Sequence, residues 1–255
     1  MAQTEEDTVL LDSGLSNSVV DNALEAGIDL SKLDKIIISH GHMDHTGGLR
    51  TLLKKIKKEV EIIAHPDIWD RKFAMIQEKG AEKRYFYVGI PFCRDELESL
   101  GATFRLSRDP VWLNDYMVTT GEVPMATAFE TIDSHALIKT EAGYKEDPLW
   151  DDQALIVKTE KGLVVILGCA HRGIINTLLR AREVTGLDKI YAVVGGTHLY
   201  RHNKEQLKQT VASLKEFNIE KLGASHCTGL PAAVYLEQEF GDIFFFNNAG
   251  TIVEL

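Results

Sequence analysis

Cysteine, long apolar runs and clustered positive charge are all scarce in this chain of 255 residues. Its three cysteines are too few for a disulfide framework, and such scarcity is typical of a reducing compartment. No apolar run approaches the roughly 18 residues that a transmembrane helix needs. The formal net charge is −10, and no basic cluster is large enough to indicate a nucleic-acid-binding surface.

The first seven residues are acidic and polar, unlike the basic and then apolar start of a secretory signal. We therefore expect a cytoplasmic protein whose partners include neither nucleic acid nor membrane. The composition, 44% hydrophobic and 26% charged, is ordinary for a globular protein. No repeat and no Pro/Gly-rich linker divides the sequence, so we predict one domain over residues 1–255.

The segment SHGHMDHTGG at residues 39–48 contains an unusual density of potential metal ligands. These are three imidazoles and one carboxylate, from His40, His42, Asp44 and His45. If the backbone stays extended beyond the preceding apolar run, the first two histidines point the same way and can bind one metal ion. The carboxylate and the third histidine can then face a second ion. Nitrogen and oxygen donors of this kind suit zinc, iron or manganese.

Strand-like and helix-like segments alternate along the chain, which predicts an α/β layered fold. In the first half, strands are predicted at residues 8–11, 36–39 and 60–64, and helices at 16–27, 47–58, 67–79 and 94–100. In the second half, a β-hairpin is predicted at 154–159 and 163–167, strands at 190–194, 221–224 and 243–246, and helices at 173–183 and 204–217. Gly47 and Gly48 are predicted to let the backbone turn sharply at the start of the helix over residues 47–58.

Three later segments repeat one pattern, in which an apolar strand is followed by small residues and a histidine. Their sequences GCAHRG, GGTH and SHC contain His171, His198 and His226. Strands that end at one edge of a sheet bring such side chains into one site. We predict that His171 is a metal ligand, with capping of the following helix as the alternative. For His198, a metal ligand, a substrate contact and a structural residue all stay open.

The sequence HGHMDH resembles the HxHxDH motif of the metallo-β-lactamase superfamily. The resemblance implies an αββα sandwich, in which two mixed β-sheets lie face to face with helices outside. It implies that His40 and His42 bind one divalent metal ion, and that Asp44 and His45 bind a second. A late histidine, here His226, would be a further ligand of the second ion.

Two positions depart from the superfamily's usual ligand set. Many members carry a metal-binding histidine where this chain has Asp151 and Asp152. Either aspartate could bind metal, orient a ligand histidine or belong to a solvated turn. Many members also place a bridging aspartate where this chain has Cys169, whose thiolate could bind metal and whose neutral thiol could equally be buried.

The superfamily inserts lids where this chain has residues 67–130, so we predict a lid-like insertion there. The alternative is that the aromatic residues at 84–92 only pack the insertion against the rest of the domain.

The sequences GCAHRGIIN, GGTHL and SHCTG resemble one branch of the superfamily, usually named for a pterin and aminobenzene phosphate synthase of methanopterin biosynthesis. Members of that branch normally carry further strands before the segment at residue 12. One sheet of this chain could therefore be short at its edge, or it could be completed by another chain, which would make a homo-oligomer possible.

The superfamily's usual reaction implies a hydrolase with two divalent metal ions and a small anionic substrate, a phosphoester or an ester. Zinc is the first expectation, with manganese or iron as alternatives. Asp44 would also hold or accept a proton from the attacking water, and His198 and Arg172 would contact the substrate. The first alternative is a transferase of the synthase type. The second is a non-enzymatic or redox protein that keeps the metal site.

Overall fold

The computed structural model describes residues 1–4 and 7–254. The chain folds into two compact units, each of which combines two stretches of sequence. Unit 1 contains Met1–Arg108 and Ile132–Asp151, and unit 2 contains Asp109–Thr131 and the residues from Asp152 onward. The single domain with a lid-like insertion at 67–130 stays a prediction.

Strands and helices alternate through the chain, and the predicted mixed α/β class is confirmed. The strands are β1 (Ala2–Gln3), β2 (Thr8–Leu11), β3 (Lys35–Ile37), β4 (Val60–Ala64), β5 (Lys72–Ile76), β6 (Arg84–Tyr87), β7 (Ala102–Leu106), β8 (Met117–Thr119), β9 (Ala136–Thr140), β10 (Gly143–Glu146), β11 (Leu155–Thr159), β12 (Gly162–Leu167), β13 (Ile190–Gly196), β14 (Lys221–Ser225) and β15 (Phe244–Phe246). The α-helices are α1 (Ser18–Glu25), α2 (Met43–Thr46), α3 (Leu49–Ile56), α4 (Arg94–Ser99), α5 (Ile174–Thr185), α6 (Lys204–Glu216) and α7 (Leu230–Phe240).

Unit 1 is built on two sheets. The first has the order β1-β2-β3-β4-β7, with its last four strands parallel and β1 antiparallel at the edge. In its central strand β3, Ile36 and Ile37 are fully buried, as expected when both faces of a sheet are covered. The predicted apolar stripe of α3 packs into the same core through Leu49, Leu52 and Leu53. The second sheet, β10-β9-β5-β6, is antiparallel throughout.

Unit 2 contains one mixed sheet with the order β15-β14-β13-β12-β11-β8. The strands from β12 to β15 are parallel, so their carboxyl ends lie at one edge. The predicted hairpin of β11 and β12 is confirmed, with Thr159 opposite Gly162. The helices α5, α6 and α7 contribute to the apolar core on this sheet, for example through Leu178, Leu214 and Leu236.

The prediction of a helix over residues 67–79 is wrong. Only a short 3₁₀ helix forms, at Pro66–Trp69, and β5 follows it. β5 pairs with β6 and also with β9, which comes much later in the chain. The Phe73 ring on β5 packs edge-on against Tyr87 of β6 and Tyr144 of β10. The pairing with the distant β9 leaves no local signal, and a short apolar run alone does not distinguish a strand from a helix.

Within the described residues, no helix combines the length and apolarity needed to cross a bilayer.

Candidate functional site

The histidines of the segment at residues 39–48 lie together where β3 ends and α2 begins. The ring centroids of His40 and His42 are 4.6 Å apart, and those of His40 and His45 are 4.1 Å apart. The Nε2 atom of His45 lies 3.5 Å from a carboxylate oxygen of Asp44. Unit 1 therefore gathers all four predicted ligands of this segment at one strand end.

Asp12, which immediately follows β2, holds this segment in place. Its carboxylate accepts hydrogen bonds from the Ser39 backbone N–H and hydroxyl, each at 2.7 Å. The same carboxylate lies 2.7 Å from Nδ1 of His45. A carboxylate on one ring nitrogen fixes the orientation and tautomer of a histidine whose other nitrogen binds metal. Sequence reasoning missed this role, because Asp12 lies 27 positions before Ser39.

Ser39 extends the same network to the first histidine of the motif. Its hydroxyl oxygen lies 2.9 Å from Nδ1 of His40. Both Ser39 and His40 are fully buried, so their mutual orientation is fixed. Asp12 therefore orients the His45 ring directly and the His40 ring through the hydroxyl group of Ser39.

His42 is held in its neutral form. Burial, together with the positive charge of Lys72, lowers the pKa of His42 to about 4. A neutral imidazole is the form that binds metal ions. At neutral pH, His42 is therefore ready to act as a ligand without losing a proton.

Asp151, one of the two departures from the family pattern, is fully buried in unit 1. One of its carboxylate oxygens accepts a hydrogen bond from the Gly41 N–H at 2.8 Å, and the other accepts one from Lys72 Nζ at 2.9 Å. Lys72 also donates to Asp147 at 2.8 Å. The solvated-turn interpretation of Asp151 is wrong, because the carboxylate links the middle of the ligand segment to a buried lysine.

The buried charges of this cluster stabilise one another. Burial alone would lower the pKa of Lys72, but the charges of Asp151 and Asp147 and their hydrogen bonds raise it above its ordinary value. Burial raises the pKa of Asp147, an effect that Lys72 opposes. The ammonium group and the carboxylates thus depend on one another to remain charged away from water.

The two glycines after the motif are required for a different reason from the one predicted. Gly47 and Gly48 both have ordinary right-handed helical backbone angles, so they provide no special turn. A Cβ atom at Gly47 would lie 2.0 Å from the Leu15 carbonyl oxygen, and one at Gly48 would lie 2.0 Å from the Ser13 carbonyl oxygen. Glycine is therefore required because two backbone segments approach closely.

The loops after β12, β13 and β14 present the chemical groups of unit 2. Each contains one non-glycine residue with positive φ, namely Ala170, His198 and His226. Such left-handed backbone costs about 1–2 kcal/mol per residue and is often found at functional sites. Strain in three neighbouring loops indicates that these positions are constrained by more than local folding.

Two overlapping clusters of potential ligands lie within these loops. In the first, donor atoms of Cys169, His171 and His198 are all within 4.8 Å of one another. In the second, the same is true of Cys169, His226 and Cys227. The His171 and His198 ring centroids are 4.1 Å apart. Unit 2 thus brings together the late histidines singled out in the sequence.

The two ring nitrogens of His198 are buried, and neither has a hydrogen-bond partner among the described residues. Such groups are costly to bury unless something satisfies them. The purely structural interpretation of His198 is therefore disfavoured, and the ligand and substrate-contact interpretations stay open.

Cys227 is a partly buried cysteine in the second of these clusters. Hydrogen bonding with Cys169 lowers the pKa of the Cys227 thiol to about 5, against the effect of burial, and the His198 side chain lowers it further. The His198 backbone N–H also donates to Sγ at 3.3 Å. A lowered pKa favours the thiolate, which is the form of cysteine that binds metal ions. Cys169 is buried, which is what the interpretation as a buried neutral thiol requires.

Glu130 is a further residue that sequence reasoning missed. It is buried, and its carboxylate accepts hydrogen bonds from the Ile175 and Asn176 N–H groups at the start of α5, both at 2.8 Å. Burial raises the pKa of Glu130. Glu130 therefore caps α5. Capping of this helix was the alternative to metal binding in the prediction for His171.

Arg172 and Asp152 are buried next to each other. The Arg172 backbone N–H donates to the Asp152 carboxylate at 3.0 Å, and the Arg172 guanidinium donates to the Val123 carbonyl oxygen. Burial lowers the pKa of Arg172. Asp152 therefore does not belong to a solvated turn, and a substrate contact of Arg172 stays a prediction.

Comparison with known proteins agrees with the motif. Residues 1–135 match the family model of the metallo-beta-lactamase superfamily. The chain is 35% identical over 232 residues to the 7,8-dihydropterin-6-methyl-4-(beta-D-ribofuranosyl)-aminobenzene-5'-phosphate synthase of Methanocaldococcus jannaschii, across 89% of this chain and 77% of that protein. An uncharacterized protein of the same organism, MJ0448, is 28% identical over 96% of this chain and 88% of its own.

Among solved structures, the crystal structure of Tm1679 is similar at a TM-score of 0.82 and 29% identity. The match covers 97% of this chain and 88% of that one. Tm1679 is described as a metal-dependent hydrolase of the beta-lactamase superfamily.

Substitution of Lys72 by Met should lower the free energy of unfolding by about 3–5 kcal/mol, because it leaves two buried carboxylates without their cation. Chemical denaturation of the wild type and of Lys72→Met measures this loss. Lys79→Met, at an exposed position, is the matched control and should change little.

The difference in the free energy of unfolding between the wild type and Lys72→Met should become smaller as the pH rises above 10.5, the ordinary pKa of lysine. In that range the unfolded chain releases the Lys72 proton while the folded chain keeps it, so the wild type loses stability. A difference that stays constant up to pH values well above 10.5 would contradict the raised pKa.

Proposed function

The chain belongs to the metallo-β-lactamase superfamily, and we propose that it is a hydrolase that uses two divalent metal ions to cleave a small anionic phosphoester or ester. The observation that carries the proposal is the ligand segment of unit 1, in which Asp12 orients His45 at 2.7 Å. A carboxylate placed in this way on one ring nitrogen is typical of histidines that bind metal through the other.

The donor set fits the divalent metal ions that the fold implies. His40, His42, Asp44 and His45 offer nitrogen and oxygen atoms, which suit zinc and also manganese or iron. The partly buried Asp12 carboxylate and the buried Ser39 hydroxyl behind these rings match the arrangement found around catalytic metal ligands. We propose zinc as the first candidate. The sequence predicts that His171 and His226 complete the ligand set, and this stays a prediction.

A bound divalent ion would supply a Lewis acid and make a water molecule acidic enough to attack near neutral pH. The protein's own groups would prepare that reaction. Asp44 is half-buried, and its carboxylate lies beside His45, so it can hold or accept a proton from the attacking water. Asp12 keeps the His45 ring in one orientation while the proton moves.

A transferase is the second candidate, favoured by the 35% identity to the Methanocaldococcus jannaschii synthase over most of this chain. In that case the same ligand residues would serve a reaction that joins a dihydropterin to a phosphorylated ribofuranosyl-aminobenzene. The two functions differ in their need for a second organic substrate.

Elemental analysis of the purified protein, followed by a turnover screen, separates these proposals. About two equivalents of zinc or manganese per chain, with phosphate or acid released when water is the only co-substrate, would support the hydrolase. Product that forms only when a pterin and an aminobenzene ribofuranoside phosphate are both present would support the transferase. Protein purified from metal-supplemented medium with no bound divalent ion would contradict both.

Substitution of His42 by Ala should remove nearly all turnover while the circular dichroism spectrum stays native, because a ligand at the centre of the segment is lost. His135→Ala changes a half-exposed histidine and should retain wild-type turnover. Activity of His42→Ala above about a tenth of the wild-type value would be inconsistent with a metal-centred mechanism.

Substitution of Asp12 by Asn should weaken metal binding by about 10–100-fold, because the carboxylate that orients His45 is replaced by a neutral amide. The backbone should tolerate the change, since Asp12 has a φ of 62° and asparagine adopts this conformation readily. Competition with a metal chelator measures the affinity without any activity assay. Asp188→Asn, at an exposed position, is the control; an Asp12→Asn variant that binds metal as tightly as this control would refute the orienting role.

A further inference from the structure

Two of the three cysteines of the chain lie side by side in unit 2. The Sγ atoms of Cys169 and Cys227 are within 4.8 Å of each other. The Cys227 thiol also donates a hydrogen bond to the Cys169 carbonyl oxygen, with a distance of 3.6 Å between the sulfur and the oxygen. The two residues are 58 positions apart in the sequence, so only the fold brings them together. Cys93, the third cysteine, is exposed and belongs to unit 1.

A glycine on the strand between them makes room for this approach. Cys169 follows β12 and Cys227 follows β14, and these two strands flank β13. Gly196 is the last residue of β13. A Cβ atom at Gly196 would lie 2.8 Å from Cys227 Sγ and 3.4 Å from Cys169 Cα. The missing side chain therefore leaves the space above β13 in which the sulfur of one cysteine reaches the other.

Hydrogen bonds between the three loops hold the two cysteines in register. The Thr197 hydroxyl donates to the hydroxyl of Thr228 at 2.9 Å, and both residues are buried. The Gly196 N–H donates to the Gly168 carbonyl oxygen at 3.2 Å. These contacts connect the loop after β13 to the loops that carry Cys227 and Cys169. Reactive groups that are held together in this way have a high effective concentration towards each other.

The two cysteines differ in their access to solvent. Cys169 is only 3% exposed, whereas Cys227 is partly exposed. A small oxidant such as hydrogen peroxide therefore reaches the Cys227 sulfur first. A cysteine oxidised to a sulfenic acid condenses with a neighbouring thiol to a disulfide. To form that bond, the sulfurs must move from their present separation, within 4.8 Å, to about 2 Å. A change of side-chain rotamer at one cysteine moves its sulfur by a comparable distance.

We propose that Cys169 and Cys227 are a site of reversible oxidation that closes to a disulfide in the presence of a peroxide. The Cys227 sulfur attacks one oxygen of hydrogen peroxide and the O–O bond breaks. One hydroxyl group stays on the sulfur as a sulfenic acid, and the other leaves as water with the thiol proton. The Cys169 sulfur then attacks the Cys227 sulfur, so that the S–S bond forms and the S–O bond breaks. The hydroxyl group leaves as a second water molecule with the Cys169 proton.

The disulfide would change the potential metal ligands of unit 2. Cys169 belongs to both ligand clusters described above, and Cys227 belongs to one of them. Because the thiolate is the form of cysteine that binds metal, a disulfide removes the sulfur donors from both clusters. In reducing compartments, disulfides are usually transient and often act as redox sensors. The inference goes beyond the proposed function and does not rest on it, because the ligand segment that carries that proposal lies in unit 1.

Oxidation of the Cys93→Ser variant tests the pair, because Cys169 and Cys227 are then the only thiols in the chain. The folded, reduced protein is treated with one equivalent of hydrogen peroxide, both as purified and after removal of metal by a chelator. The intact mass should fall by two hydrogen atoms, and peptide mapping without reductant should find the two cysteine peptides joined. Dithiothreitol should restore the original mass. The absence of the cross-link from both samples, or a cross-link between two chains, would overturn the proposal.

Two further variants in the same background separate the roles of the sulfurs. With Cys169→Ser, the sulfenic acid at Cys227 has no thiol to condense with, so labelling by dimedone should be severalfold stronger than in the protein that retains both cysteines. With Cys227→Ser, the remaining thiol is buried and should be labelled weakly. Thermal unfolding verifies that each variant is folded. Equal dimedone labelling with and without Cys169 would overturn the proposal, because the sulfenic acid would then not be resolved by its neighbour.

Discussion

The carboxylate of Asp12 is the group on which the ligand segment of unit 1 depends. It receives three hydrogen bonds, two from Ser39 and one from His45, and thereby fixes both ends of the segment. Ser39 passes the constraint to His40. Because the ligands are oriented in advance, little conformational entropy remains to be lost when an ion binds.

Buried carboxylates repeat this role elsewhere in both units. Asp151 accepts the Gly41 N–H in unit 1, and in unit 2 Asp152 accepts that of Arg172 while Glu130 caps α5. In each case an acidic side chain satisfies backbone donors that have no partner in a neighbouring strand, either in a loop or in the first turn of a helix. Part of the acidic excess of the chain is therefore structural, and net charge alone describes its surface poorly.

The sequence was informative where the determinants are local. The motif at residues 40–45 places its potential ligands within six positions. The apolar residues of α3 and the strands of the β11–β12 hairpin likewise follow sequence patterns that are visible in short windows. Asp12 is 27 positions from Ser39, and Lys72 is 79 positions from Asp151, so neither contact leaves a pattern in any short window. The helix wrongly predicted at 67–79 fails for the same reason, because the partners of β5 include the distant β9.

Backbone proximity was equally hidden from the sequence. Gly47 and Gly48 were expected to provide a turn, and glycine is indeed needed at both positions. The cause lies in the carbonyl oxygens of Leu15 and Ser13, which leave no space for a Cβ atom. Residue type was therefore a good guide to the importance of a position and a poor guide to its reason.

The burial of the Asp151 carboxylate has a consistent electrostatic explanation. A buried carboxylate at this position would be unstable without a cation, and Lys72 supplies one at 2.9 Å. Lys72 in turn needs more than one partner, because burial opposes its charge, and Asp147 provides the second. The aspartate, the lysine and the second aspartate therefore form one unit of charge, in which the loss of any member leaves another uncompensated. The carboxylate of Asp151 also accepts the Gly41 N–H, so this buried charge cluster helps to hold Gly41 between His40 and His42.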